Sequence, residues 1–233
     1  NEVTVDVTGS SGDVNVANTK GNINIKNSFG DVTVENIEGA LTVHTNSGKV
    51  TATSIVASTE NIDLSSDFGD VTLKKAGGKD ISLDSNSGNI LLSEVRATGD
   101  LTANTDFGNT EFENGSADAL KVETNSGNVS LTKLKISKLL FVKNDFGDIE
   151  LDQAMAGSYD LHTNSGDITV DGAKGKLKAD TDFGNVTISN AQSVTLTLET
   201  NSGTIEFSGS LGVGPHFVKS DFGGIDISLP IDA

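Results

Sequence analysis

Cysteine is absent from this chain, so disulfides, thiolate metal sites and cysteine nucleophiles are all excluded. Tryptophan is absent too, tyrosine and methionine occur once each, and proline occurs twice. Basic residues are scarce: 16 lysines and arginines, with Arg96 the one arginine, stand against 33 aspartates and glutamates, for a net charge of -17. A charge of that sign repels nucleic acid and anionic lipid at long range, so neither is an expected partner. No apolar run approaches the roughly 18 residues that cross a bilayer, so this segment is not expected to insert into a membrane. The opening residues Asn1-Glu2-Val3-Thr4 carry no basic stretch leading into an apolar core. Two alternatives stand: a cytosolic chain, or one whose targeting segment has been removed.

Glycine is what the chain has in excess, 26 residues in 233, and this directs the search toward internal repetition. A glycine preceded by a polar-Ser or polar-Phe pair recurs at Gly12, Gly30, Gly48, Gly69, Gly88, Gly108, Gly127, Gly147, Gly166, Gly184, Gly203 and Gly223. The mean spacing is about 19 residues. Apolar residues follow at two and four places after most of these glycines, as in Val32 and Val34, Val71 and Leu73, or Ile168 and Val170. That period of two is a strand with one buried face. The same alternation precedes each turn, through Leu41, Val43, Thr45 and Ser47, or Ile62, Leu64, Ser66 and Phe68. A segment of variable length joins the second strand to the first strand of the next repeat, and no stretch carries a helical apolar stripe. The expected fold is all-β: a single-domain β-solenoid, or parallel β-helix, over residues 1–233. Its twelve or so coils at about 4.8 Å would stack to roughly 58 Å.

The turns alternate, SSG and SFG first, then NSG and DFG in strict succession. If two repeats made one coil, Asp67, Asp106, Asp145, Asp182 and Asp221 would stack on one another and repel. With one repeat per coil each Asp lies between Asn neighbours whose amides can donate to it. The one-repeat coil is therefore expected. It predicts an inward column in which Phe29, Phe68, Phe107, Phe146, Phe183 and Phe222 alternate with Ser and pack the core.

Candidate chemistry is sparse. The DFG tripeptide matches the magnesium motif of protein kinases, but the nucleotide loop, strand lysine and catalytic loop that must accompany it are missing. Asp67 with Asp70 and Asp145 with Asp148 place two carboxylates around a turn, the only pattern that suggests a hard cation such as calcium. Turn chemistry, with Asn and Asp bonding backbone groups, is the simpler expectation, and no cofactor is expected. His44 and His162 fall at one outward strand position six repeats apart, too far to share an ion, and with His216 read as solvated surface residues. Paired carboxylates in a groove would suggest a polysaccharide-cleaving enzyme, but the aspartates are spread evenly over the repeats.

The motif G-[DN]-[VI]-x-[VIL] after T-N-S or T-D-F, repeated from Val3 to Leu229, resembles a bacterial family of domains of unknown function that carries the label adhesin. The resemblance implies a β-helix from an exported or envelope-associated protein, and it supplies no catalytic residues. The expected function is a noncatalytic structural or binding module of the bacterial cell surface, whose partner is an envelope polymer or a surface protein. Two alternatives stand beside it. One is a β-helix enzyme acting on polysaccharide; the other is a self-associating scaffold, an end-to-end homodimer formed through unpaired strand edges.

Overall fold

The computed structural model describes residues 3–230. The chain is an all-β parallel solenoid of about twelve coils spaced about 19 residues apart. No helix occurs among the described residues. Register settles the coil geometry: Phe29 pairs with Ser47, Ser47 with Phe68, and Phe68 with Ser87, so one repeat makes one coil. The same succession runs from Ser126 through Phe146, Ser165, Phe183 and Ser202 to Phe222. The chain forms two compact units, Asn1–Asp118 and Ala119–Ala233.

One coil illustrates how sequence becomes shape. The strand Leu41–Ser47 directs Leu41, Val43 and Thr45 inward, and after the turn the strand Val50–Ala57 buries Val50 and Ala52. Ser54 then takes a positive φ of 59°, which bends the chain and turns Ile55 and Ala57 inward along a third short run. The bend recurs at Asn36, Lys75, Glu94, Asn114, Lys133, Gln153 and Asn190, all non-glycine residues near the left-handed helical conformation. Each such residue costs about 1 kcal/mol or more, a strain held in place by parallel pairing on both sides. This bend is absent from the alternation of the sequence, which shows two strands and a variable stretch. Inside, like residues stack on like: Val32 pairs with Val50, and Val50 with Val71, all fully buried.

The six turn phenylalanines are not in the core. Phe29, Phe68, Phe107, Phe146, Phe183 and Phe222 are 62–79% exposed. Period-two extrapolation carries the inward alternation one position too far. The last inward residue of the incoming strand is the one three before the glycine, such as Thr45 or Ser66, and the chain has begun to turn before it reaches Ser47 or Phe68. The buried phenylalanines are Phe112 and Phe207, four residues after their turn glycines, where the outgoing strand points inward. Asn1 and Glu2 of the opening stretch lie outside the described residues.

Candidate functional site

The turn corner is the most regular surface of each unit, and glycine contact builds it. A Cβ on Gly48 would lie 2.1 Å from the Gly30 carbonyl oxygen, and one on Gly88 would lie 2.2 Å from that of Gly69. In unit 2, Gly166 meets the Gly147 carbonyl and Gly203 the Gly184 carbonyl in the same way. Only a residue without a side chain permits that approach, whatever its φ. The carbonyl thus turned inward needs a donor. Each coil supplies one from the residue three before its own glycine: Ser66 Oγ donates to Gly48 O at 2.8 Å, Thr105 Oγ1 to Gly88 O at 3.0 Å, Asn144 Nδ2 to Gly127 O at 2.8 Å, and Thr200 Oγ1 to Gly184 O at 2.9 Å. These polar side chains are buried.

A second ladder runs just after the glycines. Asp31 Oδ1 accepts the Lys49 N–H at 2.8 Å, Asp70 Oδ1 accepts that of Asn89 at 3.0 Å, and Asp148 Oδ1 accepts that of Asp167 at 2.9 Å. Of the calcium candidates, Asp70 and Asp148 belong to this ladder and Asp145 bonds the next coil through a side-chain amide, while Asp67 makes no such bond among the described residues. Asp70 also accepts the Asn89 amide at 3.2 Å and pairs with Lys49 at 3.1 Å. The Asn89 N–H, opposed by partial burial and helped by Lys49, holds the Asp70 carboxyl below the usual carboxylate range. Asp145 Oδ1 accepts the Asn164 amide at 3.2 Å, and Asp182 accepts that of Asn201 at 2.7 Å, the Asn-over-Asp stacking expected of one-repeat coils. Among the described residues no group of three or more His, Asp or Glu is placed to hold a metal ion.

With the glycine, hydroxyl and carboxylate positions assigned to coil stacking, the exposed phenylalanines stand outside any packing requirement. Ser47, Ser87, Ser165 and Ser202 occupy the same pairing position in alternate coils. The fold therefore accepts serine there, and each exposed phenylalanine forgoes about 1.5–3 kcal/mol of burial. In every DFG turn an aspartate precedes the ring, so the corner presents alternating aromatic and acidic groups.

The histidines are more engaged than solvated side chains would be. His44 Nδ1 lies 3.0 Å from Ser65 Oγ. His162 contacts the Asp180 carboxylate through Nδ1 and Asn164 Oδ1 through Nε2 at 3.0 Å. His216 Nδ1 accepts the Leu196 N–H at 3.3 Å, which leaves the proton on Nε2 to donate to Gly212 O at 3.1 Å. Beside His44 lies a pair of carboxyls, Asp63 and Asp84. Asp63 is exposed at its strand surface, yet partial desolvation by its neighbours, then the Asp84 charge, pushes its carboxyl up, with His44 acting against them. Asp84 in turn accepts the Ser82 hydroxyl at 3.0 Å and the Asn104 amide at 2.7 Å. Both carboxyls lie on strands of the flat outer surface, Ile62–Phe68 and Ile81–Ser87.

A family model matches the chain twice, over residues 2–115 and 112–233, close to the two structural units. The chain belongs to the Toastrack DUF4097 family. The family is one of unknown function, and its name fits the solenoid. Comparison with curated proteins and with solved structures gives no match. Membership of the family agrees with the uncharacterised class read from the repeat motif, and it assigns no adhesive role.

Proposed function

We propose that this Toastrack chain is a noncatalytic binding module of the bacterial envelope. Its exposed Asp-Phe corner docks an extended, neutral or cationic envelope polymer or surface protein. The observation that carries this reading is the exposure of Phe146, Phe183 and Phe222 at positions where the intervening coils use serine. Successive rings recur every second coil, about 10 Å apart. Apolar faces so placed can contact consecutive units of a linear partner, and the neighbouring aspartates disfavour an anionic one. Affinity would accumulate from many weak contacts. The envelope location rests on the resemblance read from the repeat motif.

The test is co-sedimentation of the purified chain with isolated bacterial cell walls, with and without calcium, beside the variant Phe146→Ser/Phe183→Ser/Phe222→Ser. Saturable binding lost in the variant, with an unchanged urea midpoint, supports the reading. Equal binding by both proteins, or none by either, sinks it. A second reading, end-to-end self-association, is favoured by the last coil, where Ile225, Ile227 and Leu229 are 45–47% exposed. A strictly monomeric mass by light scattering across micromolar concentrations removes that reading.

A further inference from the structure

A second surface, on the corner made by the left-handed residues, differs in chemistry from the rest of the molecule. In unit 2 an open cleft of about 450 Å³ lies along this corner, within the size range of small-molecule sites. Lys133, Gln153, Gly172 and Asn190 are the bend residues of four successive coils, and all four line it. They span about 14 Å at the coil spacing. The residues two places after each bend, Lys135, Met155, Lys174 and Gln192, complete the wall. Lys135 pairs in register with Met155, and Lys174 with Gln192.

The charge here runs against the whole. Lys133, Lys135 and Lys174 are exposed, and their side-chain ammonium groups make no hydrogen bond or ion pair among the described residues. In the equivalent column of unit 1, Lys20 is compensated by Glu38 of the next coil at 2.7 Å, while Arg96 stands singly between Gly77 and Ser116. In unit 2 the places beside Lys135 and Lys174 are taken by Met155 and Gln192. The one acid of the cleft, Asp171, accepts the Ser189 hydroxyl at 2.7 Å and the Asn190 amide. These bonds, chiefly that of Ser189, hold its carboxyl below the usual range. Three free ammonium groups, side-chain amides that both donate and accept, and a floor of Met155, Leu134 and Ala173 thus face one opening.

We propose that this cleft binds a sugar acid, a hexose-sized ring bearing one carboxylate. The carboxylate takes Lys135 or Lys174, the hydroxyls meet Gln153, Gln192 and Asn190, and the ring's C–H face lies on the Met155 thioether. The site is independent of the aromatic corner and acts at contact range. Beyond a Debye length of about 8 Å in physiological salt the lysine field is screened, so the net negative charge of the molecule does not forbid it.

Met155 is the only methionine of the chain, so a ¹³C-methyl methionine label reports on the cleft floor. Titration with D-glucuronate is expected to shift its methyl resonance saturably, while D-glucose shifts it at least tenfold less effectively. Lys135→Gln/Lys174→Gln is expected to weaken the glucuronate response at least tenfold without altering the urea midpoint, and Gln192→Leu to weaken it with both lysines in place. An acidic oligosaccharide ending in glucuronate separates a glycan terminus from the free sugar as the source by which of the two binds more tightly; either result supports the site. No shift at tens of millimolar glucuronate, an equal response to glucose, or full retention in both variants overturns the proposal. An equal saturable response to inorganic phosphate also overturns it, because the cleft would then select an oxyanion and not a sugar.

Discussion

At the scale of single residues, the turn glycine and the exposed phenylalanine that immediately precedes it in alternate coils obey opposite logics. Gly88 is required by contact, since an added Cβ would meet the Gly69 carbonyl oxygen at 2.2 Å and carbon at 2.4 Å. Gly88→Ala is expected to destabilise unit 1 by about 3 kcal/mol or more, as an overpacking change against backbone. A fall in the urea midpoint measures it. Asp63 gives a pH-dependent case. Its carboxyl titrates higher in the fold than in the unfolded chain, so ionising it costs stability as pH rises through the folded value. Asp63→Asn is therefore expected to raise the melting temperature at neutral pH, and the gain should vanish in acid below the unfolded value, where both side chains are uncharged. Asp70 has the opposite sign: its contribution is present at neutral pH and is lost as pH falls through its lowered folded value.

At the scale of strands and turns, stability runs between coils through paired ladders. Thr163, fully buried, donates to Gly147 O at 3.2 Å. Thr163→Val keeps the shape and deletes the donor, so it is expected to cost about 1–3 kcal/mol, the penalty of a buried carbonyl left without a partner. Serine in place of threonine should recover most of it, since Ser66 and Ser85 make the same bond. Much of this element was legible in advance. Repeat length, strand alternation and Asn-over-Asp stacking all follow from glycine spacing and charge. Two things were not. The buried hydroxyl looked like an ordinary strand position, because its acceptor belongs to the preceding coil and no local pattern reveals it. The second bend was hidden because Lys75, Glu94 and Lys133 carry no sign of a left-handed backbone; only parallel pairing on both sides imposes it. The lysine cleft depends on that bend and was invisible for the same reason.

At the scale of the whole molecule, the charge of -17 sets how the chain responds to its medium. Carboxylates of successive coils meet in the ladder after the glycines, as where Asp148 accepts the N–H of Asp167. Added salt screens such like-charge neighbours. Raising sodium chloride from about 10 mM to about 150 mM is expected to increase the melting temperature by a few degrees, since 1 kcal/mol corresponds to about 2–4 °C for a chain of this size. A lower melting temperature in salt would mean that the ion pairs, such as Lys49 with Asp70, outweigh the repulsion. The alternation of Phe and Ser down one corner has a further consequence. Folding counts coils one at a time, but the aromatic corner counts them in twos. Loss of a single coil, for example the one that carries Phe68, would leave every ladder able to re-form, yet would bring Ser47 against Ser87 and put the rings beyond it out of step. A chain that grows or shrinks by recombination keeps its fold at any coil number, and keeps an unbroken rhythm of rings only when coils are gained or lost in pairs.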